Sequence, residues 1–238
     1  LLIAFVETDS QQQIKTVKSL LSRQLLAVVM LAIDIEDPVF EVLTKADVRL
    51  LSVSNQLNNV IPSISSDNYA MMHTIVDYLY DQGHRKMALI GASNPEPIVA
   101  VLRRKGFIDA LFDHGITYNP EFIWGVDNDY QTGLDAIKKF GAPLPFTAAI
   151  GSADIISIGL LNGAKDAGIV VPQDLSIVTI DGTELTQLTR PILTAAQQNF
   201  AQMGELAIMA LADHTLSPHT VTFTDITIKQ GGTVANIN

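Results

Sequence analysis

Gly83-His84-Arg85-Lys86-Met87-Ala88-Leu89-Ile90-Gly91 joins a helix stop, a basic hinge and a buried strand in nine residues. Upstream, Tyr69 to Gln82 places apolar or small residues at Ala70, Ile75, Val76, Leu79 and Tyr80 with roughly helical spacing. Gly83 follows where a left-handed C-terminal cap is needed. Met87 to Ile90 is a short apolar run that reads as a strand. The stretch is a junction between elements, not an active site, and His84 reads as a packing and hydrogen-bonding group at a helix end.

The same alternation extends in both directions. Leu1 to Val6 reads as a strand bounded by Glu7-Thr8-Asp9-Ser10, and Ile14, Val17, Leu20 and Leu21 mark a helix over Gln11 to Arg23. Leu25 to Ile33 and Val48 to Val53 are β-rich runs, separated by a helix from Pro38 to Thr44 with proline in its first turn. Beyond Gly91 come helix Ile98 to His114, a strand near Phe122, helix Asp129 to Phe140 and strand Ala148 to Ile150. Helix Ile155 to Ala167, ended by Gly168, precedes strand Leu175 to Ile180, and helix Ala201 to Ala212 precedes one strand from Val221 to Ile228. Such alternation predicts an α/β fold with parallel strands and crossover helices. So many strands call for two doubly wound sheets, joined by short crossings because no low-complexity linker is present.

Composition narrows the function. The chain has 238 residues, 47% of them hydrophobic, which is ample for a buried core. No apolar run approaches the roughly 20 residues that span a bilayer, and no basic region precedes the apolar start, so neither a membrane span nor an export signal is expected. The absence of cysteine excludes disulfides and thiolate metal sites and fits a reducing compartment. A net charge of −10 repels a phosphate backbone, so this stretch is not expected to bind DNA by itself. Arg103, Arg104 and Lys105 are adjacent, yet they read as a solvated turn plus one functional side chain.

Five islands carry a family resemblance. They are Leu20-Leu21-Ser22-Arg23 with Val28-Val29-Met30-Leu31; Ser66-Asp67-Asn68 through Gly83-His84-Arg85; and Leu102-Arg103 with Gly106-Phe107. The fourth is Asp154 with Ile158-Gly159, Gly168, Val171-Pro172, Asp174 to Val178 and Asp181. The fifth is Pro191 to Thr194, Gln198, Met203-Gly204 and Lys229-Gln230-Gly231-Gly232-Thr233. In this order and spacing the chain resembles the effector-binding core of LacI/GalR transcription regulators, with Val171 to Gly204 the most specific block.

The resemblance implies two Rossmann-like lobes of periplasmic-binding-protein type, with parallel sheets flanked by helices and three crossings near Ser65, Gln198 and Thr224. Residues 1–65 with 199–224 would form the N-terminal lobe, and 66–198 with 225–238 the C-terminal lobe. In the family a further strand and helix precede the part matching Leu1 to Ile33, and a helix-turn-helix headpiece precedes those. The implied protein is a cytoplasmic homodimer, a repressor in kind, that binds a sugar-like effector between its lobes and operator DNA through that headpiece. A periplasmic-type sugar-binding protein of a transporter shares the fold and is the alternative.

Site residues follow by both routes. Asp181-Gly182 stands at a strand's carboxyl end, where ligands sit in open α/β sheets. Its carboxylate could accept sugar hydroxyls or cap the next segment through a turn. Arg103, beside apolar Val99, Leu102 and Phe107, can pack its stem and present a planar fork, or form a surface ion pair. The resemblance makes Arg103 the ligand-gripping arginine and Phe200 an aromatic on the ligand's apolar face, against a reading as core phenylalanine. Ser54, Asn128 and Asp154 occupy further effector-site positions where the chain departs from its relatives. Ser54-Asn55 stands in place of an acidic residue, Ala153-Asp154 in place of Asn-Asp, and Asn128, near Tyr130, in place of an aromatic. These changes point away from the family's usual sugars.

Other chemistry finds no support. The histidines, His73, His84, His114, His214 and His219, lack paired metal-ligand spacing. There is no GxSxG elbow, P-loop or GxGxxG after a strand, so no enzyme, metal or cofactor is expected.

Overall fold

The structure is a computed structural model that describes residues 2–5, 9–32, 37–55, 61–94, 97–213, 217 and 219–238. Leu1, Val6, Glu7, Thr8, Ile33 and His214 lie outside the described residues. In chain order the elements are α1 (Ser10–Leu21), β1 (Ala27–Leu31), α2 (Asp37–Thr44), β2 (Arg49–Val53), β3 (Ser63–Ser66), α3 (Asn68–Asp81) and β4 (Met87–Ile90). They continue as α4 (Ile98–Asp113), β5 (Ile123–Trp124), α5 (Tyr130–Phe140), β6 (Ala148–Gly151), α6 (Asp154–Asp166) and β7 (Ser176–Asp181). The last are β8 (Thr194–Gln198), α7 (Phe200–Asp213), β9 (Val221–Thr224) and β10 (Ile226–Lys229). The chain divides into two units, Leu1–Ser66 with Asn199–Thr224, and Asp67–Gln198 with Asp225–Asn238.

The larger unit is built on a sheet of order β10-β8-β7-β6-β4-β5, parallel except for β10 against β8. Successive strand residues feed opposite cores. Met87, Leu89, Ile150, Val178 and Ile180 pack with Met71, Ile75, Leu79 and Phe107 of α3 and α4. Ala88, Ile90, Ala149 and Ile177 pack with Ile137, Ile156 and Leu160 of α5 and α6. Covering both faces explains why these strands are continuous apolar runs instead of alternating ones. On each face two helices approach closely enough to need glycine. A Cβ on Gly106 would meet the Tyr69 carbonyl, and one on Gly159 the Tyr130 carbonyl.

The stretch from Gly83 to Gly91 behaves as a junction. Asp67 caps the start of α3 by accepting from the amides of Tyr69 and Ala70 at 3.1 and 2.9 Å. At the other end Gly83, with φ +94°, lets its own amide reach the Tyr80 carbonyl and the His84 amide reach that of Leu79. His84 is buried and hydrogen-bonded on both ring nitrogens, to Thr147 Oγ1 at 2.9 Å and to the Ala235 carbonyl at 3.2 Å. A carbonyl only accepts, so Nε2 carries the proton and Nδ1 accepts from Thr147. Residues 231–238 continue along this amino-terminal edge. Thr233 Oγ1 donates to the Ile177 carbonyl and accepts from the Thr194 amide, and the Ala235 amide donates to Ser176.

The smaller unit holds an all-parallel sheet of order β1-β2-β3-β9. Leu51, Val53 and Ile64 pack under Met203 and Ala207 of α7, while Met30, Val39, Leu43 and Ile61 form a second cluster. Two expectations need correction, and two strands of these sheets went unread in the sequence. Leu2 to Phe5 is not a strand: it has no ladder partner among the described residues, and Leu2, Ile3 and Phe5 are exposed. The run from Val221 to Ile228 is two strands, because Asp225 interrupts it and β9 pairs with β3 whereas β10 pairs with β8. β3 and β8 themselves, Ser-Ile-Ser-Ser and Thr-Ala-Ala-Gln-Gln, have too little β-propensity to read as strands, yet they are central rungs. No helix among the described residues is long and apolar enough to cross a membrane.

Two outcomes follow. Gly159→Ala forces α5 and α6 apart against backbone and is expected to cost about 1–3 kcal/mol, read as a lowered melting temperature. Burial holds the His84 imidazole below its ordinary value of 6.5, partly offset by the Ala235 carbonyl. The unfolded chain therefore takes up the proton first, and the stability from neutral His84 is present above that value and lost as pH falls through the folded one. Denaturant unfolding from pH 8 to 5 should show this loss, and His84→Gln should flatten that part of the profile while lowering stability at pH 8.

Candidate functional site

The parallel strands of the larger unit all point one way, so β4, β6, β7 and β8 end at one edge, at Ile90, Gly151, Asp181 and Gln198. From β4 the chain moves outward to β5, then returns past β4 to form β6 on its other side. This reversal opens a crevice between neighbouring strand ends, the place where doubly wound sheets accept ligands. Polar side chains collect there because the strands below it are packed with apolar groups on both faces.

Arg103 comes from α4, which leaves the carboxyl end of β4, so its side chain starts near this edge. Only 9% of the residue is exposed. Its Nε donates to Asn68 Oδ1 at 2.8 Å and its Nη1 to the Ser152 carbonyl, just past the end of β6. A guanidinium has five N–H groups, so three remain for another acceptor. Burial depresses the pKa of Arg103, and the nearby Asp181 carboxylate counters this by favouring the charged form.

Asp181 ends β7 with φ +97°, a backbone conformation that favours glycine and costs a residue with a side chain about 1–3 kcal/mol. Its Oδ1 accepts from Gln198 Nε2 at 2.6 Å. Burial pushes its carboxyl above the usual range, Arg103 pulls it back, and the Asp154 charge pushes it up again. Arg103 and Asp181 thus sense one another through space, yet each keeps hydrogen-bonding capacity beyond its protein partners.

Asp154 has a different task from the one expected of it. Its Oδ1 accepts from Thr179 Oγ1 at 2.9 Å and the Gly182 amide at 3.2 Å; its Oδ2 accepts from the Thr183 amide at 2.7 Å and Thr183 Oγ1 at 2.6 Å. A carboxylate offers about four lone-pair sites, and all are taken by the protein. Arg104 is likewise not simply solvated, since its Nη1 donates to the carbonyls of Ser93 and Asn94 at 3.2 and 3.3 Å.

The remaining expected residues are not drawn into this cluster. Asn128 is exposed on the loop leaving the carboxyl end of β5. Ser54 and Phe200 belong to the smaller unit. Ser54 has φ +65° and donates to Met203 Sδ at 3.4 Å, and Phe200 is 45% exposed at the start of α7, not a core phenylalanine. Asn68, Ser152 and Gln198 were missed as site residues. Asn68 and Gln198 read as a helix start and a lobe crossing, and only the fold shows that they flank Arg103 and Asp181.

A family model, the periplasmic binding protein-like domain, matches residues 76–233. The chain is 32% identical over 160 residues to the HTH-type transcriptional repressor CytR of Escherichia coli (strain K12), covering 67% of this chain and 47% of that protein. It is 27% identical over 210 residues to catabolite control protein A of Priestia megaterium, covering 87% and 63%. The chain therefore spans about half to two thirds of these relatives' length. Among solved structures, the LacI family transcriptional regulator CCPA from Weissella paramesenteroides, with bound sucrose, superposes with a TM-score of 0.93 at 36% identity, over 100% of this chain and 88% of that one. The same regulator with bound glucose gives 0.92 at 36%, over 100% and 87%. These relatives are transcription regulators, neither enzymes nor transport proteins. With the matched domain, the shared fold and this identity, the chain belongs to the LacI/GalR family of transcription regulators, as its periplasmic-binding-protein-like effector domain.

Proposed function

We propose that this domain senses a small polyhydroxylated molecule at the carboxyl edge of the larger sheet and that the whole regulator uses this to control operator binding. The observation that carries the reading is the pair of opposite charges at the carboxyl edge, Arg103 buried and Asp181 half-buried, each with unused hydrogen-bonding capacity. A guanidinium donating to, and a carboxylate accepting from, vicinal hydroxyls is the chemistry of sugar recognition. The sucrose- and glucose-bound relative supports that ligand class. Asp154 is left out of the ligand set because its oxygens are occupied, and Ser54 and Phe200 lie in the other unit.

DNA contact falls to a separate headpiece, since a domain of net charge −10 repels the phosphate backbone. Pairing of two copies would give the two half-site contacts that operators require. Effector acts through its different affinities for two conformations, a coupling of about 1–3 kcal/mol in typical cases.

A thermal-shift screen with sucrose, glucose, pentoses, sugar phosphates and purines tests the reading, because a ligand at 100 times its Kd adds about 2.7 kcal/mol. Arg103→Ala should abolish the shift, and should also cost about 1–3 kcal/mol of stability, because Asn68 Oδ1 and the Ser152 carbonyl lose their donor. A ligand shift that survives in this variant removes Arg103 from the site. Asp181→Asn keeps the shape and removes the charge, and should weaken the ligand about tenfold, or about 1.4 kcal/mol. Undiminished affinity would leave Asp181 with a turn-forming role only.

A further inference from the structure

We propose that Asp154 is the positioning residue of this site, holding Asp181 in its left-handed conformation by gripping the residues on both sides of it. The inference rests on the effector reading of Asp181. Every hydrogen bond of the Asp154 carboxylate goes to the segment 179–183, and none to Asp181 itself. On the near side it holds the Thr179 hydroxyl; on the far side it holds the Gly182 and Thr183 amides and the Thr183 hydroxyl. Asp181 is thereby suspended between two anchors on one carboxylate.

The obvious alternative is a helix cap, and the geometry does not favour it. Asp154 is the first residue of α6, preceded by an Ala153 that gives no side-chain cap, and its oxygens take none of the helix's own amides. The turn it grips needs holding. Asp181 and Gly182 are consecutive residues at positive φ, +97° and +69°. An aspartate freed from its neighbours would relax to negative φ and carry its carboxylate to a new direction.

A second clamp works from the opposite side. Gln197 Nε2 donates to the Gly182 carbonyl at 3.1 Å, and a Cβ on Gly182 would lie 2.8 Å from Gln197 Cβ. The turn is therefore pressed between α6 and β8, and only its Asp181 side chain is left to face elsewhere, steadied by Gln198. Asp154 also sets charge. It places a second carboxylate near Asp181, which favours the protonated form of Asp181, with Arg103 opposing.

The test uses the full 238-residue chain, unliganded and with sucrose, and the variants Asp154→Asn and Thr183→Val. Asp154→Asn turns two acceptor positions into a donor facing the Thr183 amide and hydroxyl. It is expected to lower the titration midpoint of the Asp181 carboxyl, followed by carbon-13 NMR, and to weaken sucrose by about tenfold in calorimetry. Thr183→Val removes one bond to Asp154, leaves its charge, and should weaken sucrose less but in the same direction. It also decides the matter if Asp154→Asn does not fold. A lowered melting temperature with the Asp181 midpoint and sucrose affinity both at wild-type values overturns the proposal. If the wild-type chain does not take sucrose, the sugar reading fails by itself, and the Asp181 midpoint in Asp154→Asn still decides the role of Asp154.

Discussion

A parallel sheet covered on both faces has nowhere to put a polar side chain except at the ends of its strands. In the larger unit this constraint governs almost everything else. β4, β6 and β7 spend consecutive residues on two separate cores, so their charged and hydroxyl-bearing neighbours collect beyond Ile90, Gly151 and Ile180. The two edges then acquire different characters. The amino edge is closed by His84, Thr147 and the segment around Thr233 and Ala235, with backbone groups paired to side chains. The carboxyl edge carries Arg103, Asp154 and Asp181; the Asp154 carboxylate is filled by protein donors, whereas Arg103 and Asp181 keep free hydrogen-bonding capacity.

That difference explains why the conspicuous Gly83-His84-Arg85 stretch is structural while the residues of the proposed site lie at the opposite edge. His84 sits on the amino edge, sealed from solvent, and Arg85 stacks over Tyr80 and donates to carbonyls at the end of α3. With Arg103 buried and Asp181 half-buried, the attraction between them is stronger than in open water, and an unpaired group there is costly. On the proposed reading, a hydroxyl-rich ligand would satisfy both partners at once.

The legible parts of this fold are those where local pattern and tertiary role agree. Helical periodicity and the glycine after Gln82 located α3, and the apolar run from Met87 to Ile90 located β4. β8 escaped because alanine and glutamine do not announce a strand; its place is set by neighbours β7 and β10, which no local window contains. The break at Asp225 escaped for a related reason, since two sheets compete for one apolar run. At the site, the chemistry of Arg103 and the strand-end position of Asp181 could be read from residue type and order. The saturation of Asp154 could not, because it depends on where Thr179 and Thr183 are brought in three dimensions.

The closure of the amino edge by residues 231–238 has a consequence for how the protein is made. The larger unit takes Asp67–Gln198 and then Asp225–Asn238, with a stretch of the smaller unit between them. A ribosome releases the first part while β8 still lacks β10 and while Ser176 and the Ile177 carbonyl still lack Ala235 and Thr233. At about 5–20 residues per second the wait is on the order of seconds, long compared with local collapse. During that interval the nascent chain exposes an open strand edge, the kind of surface on which another chain can pair.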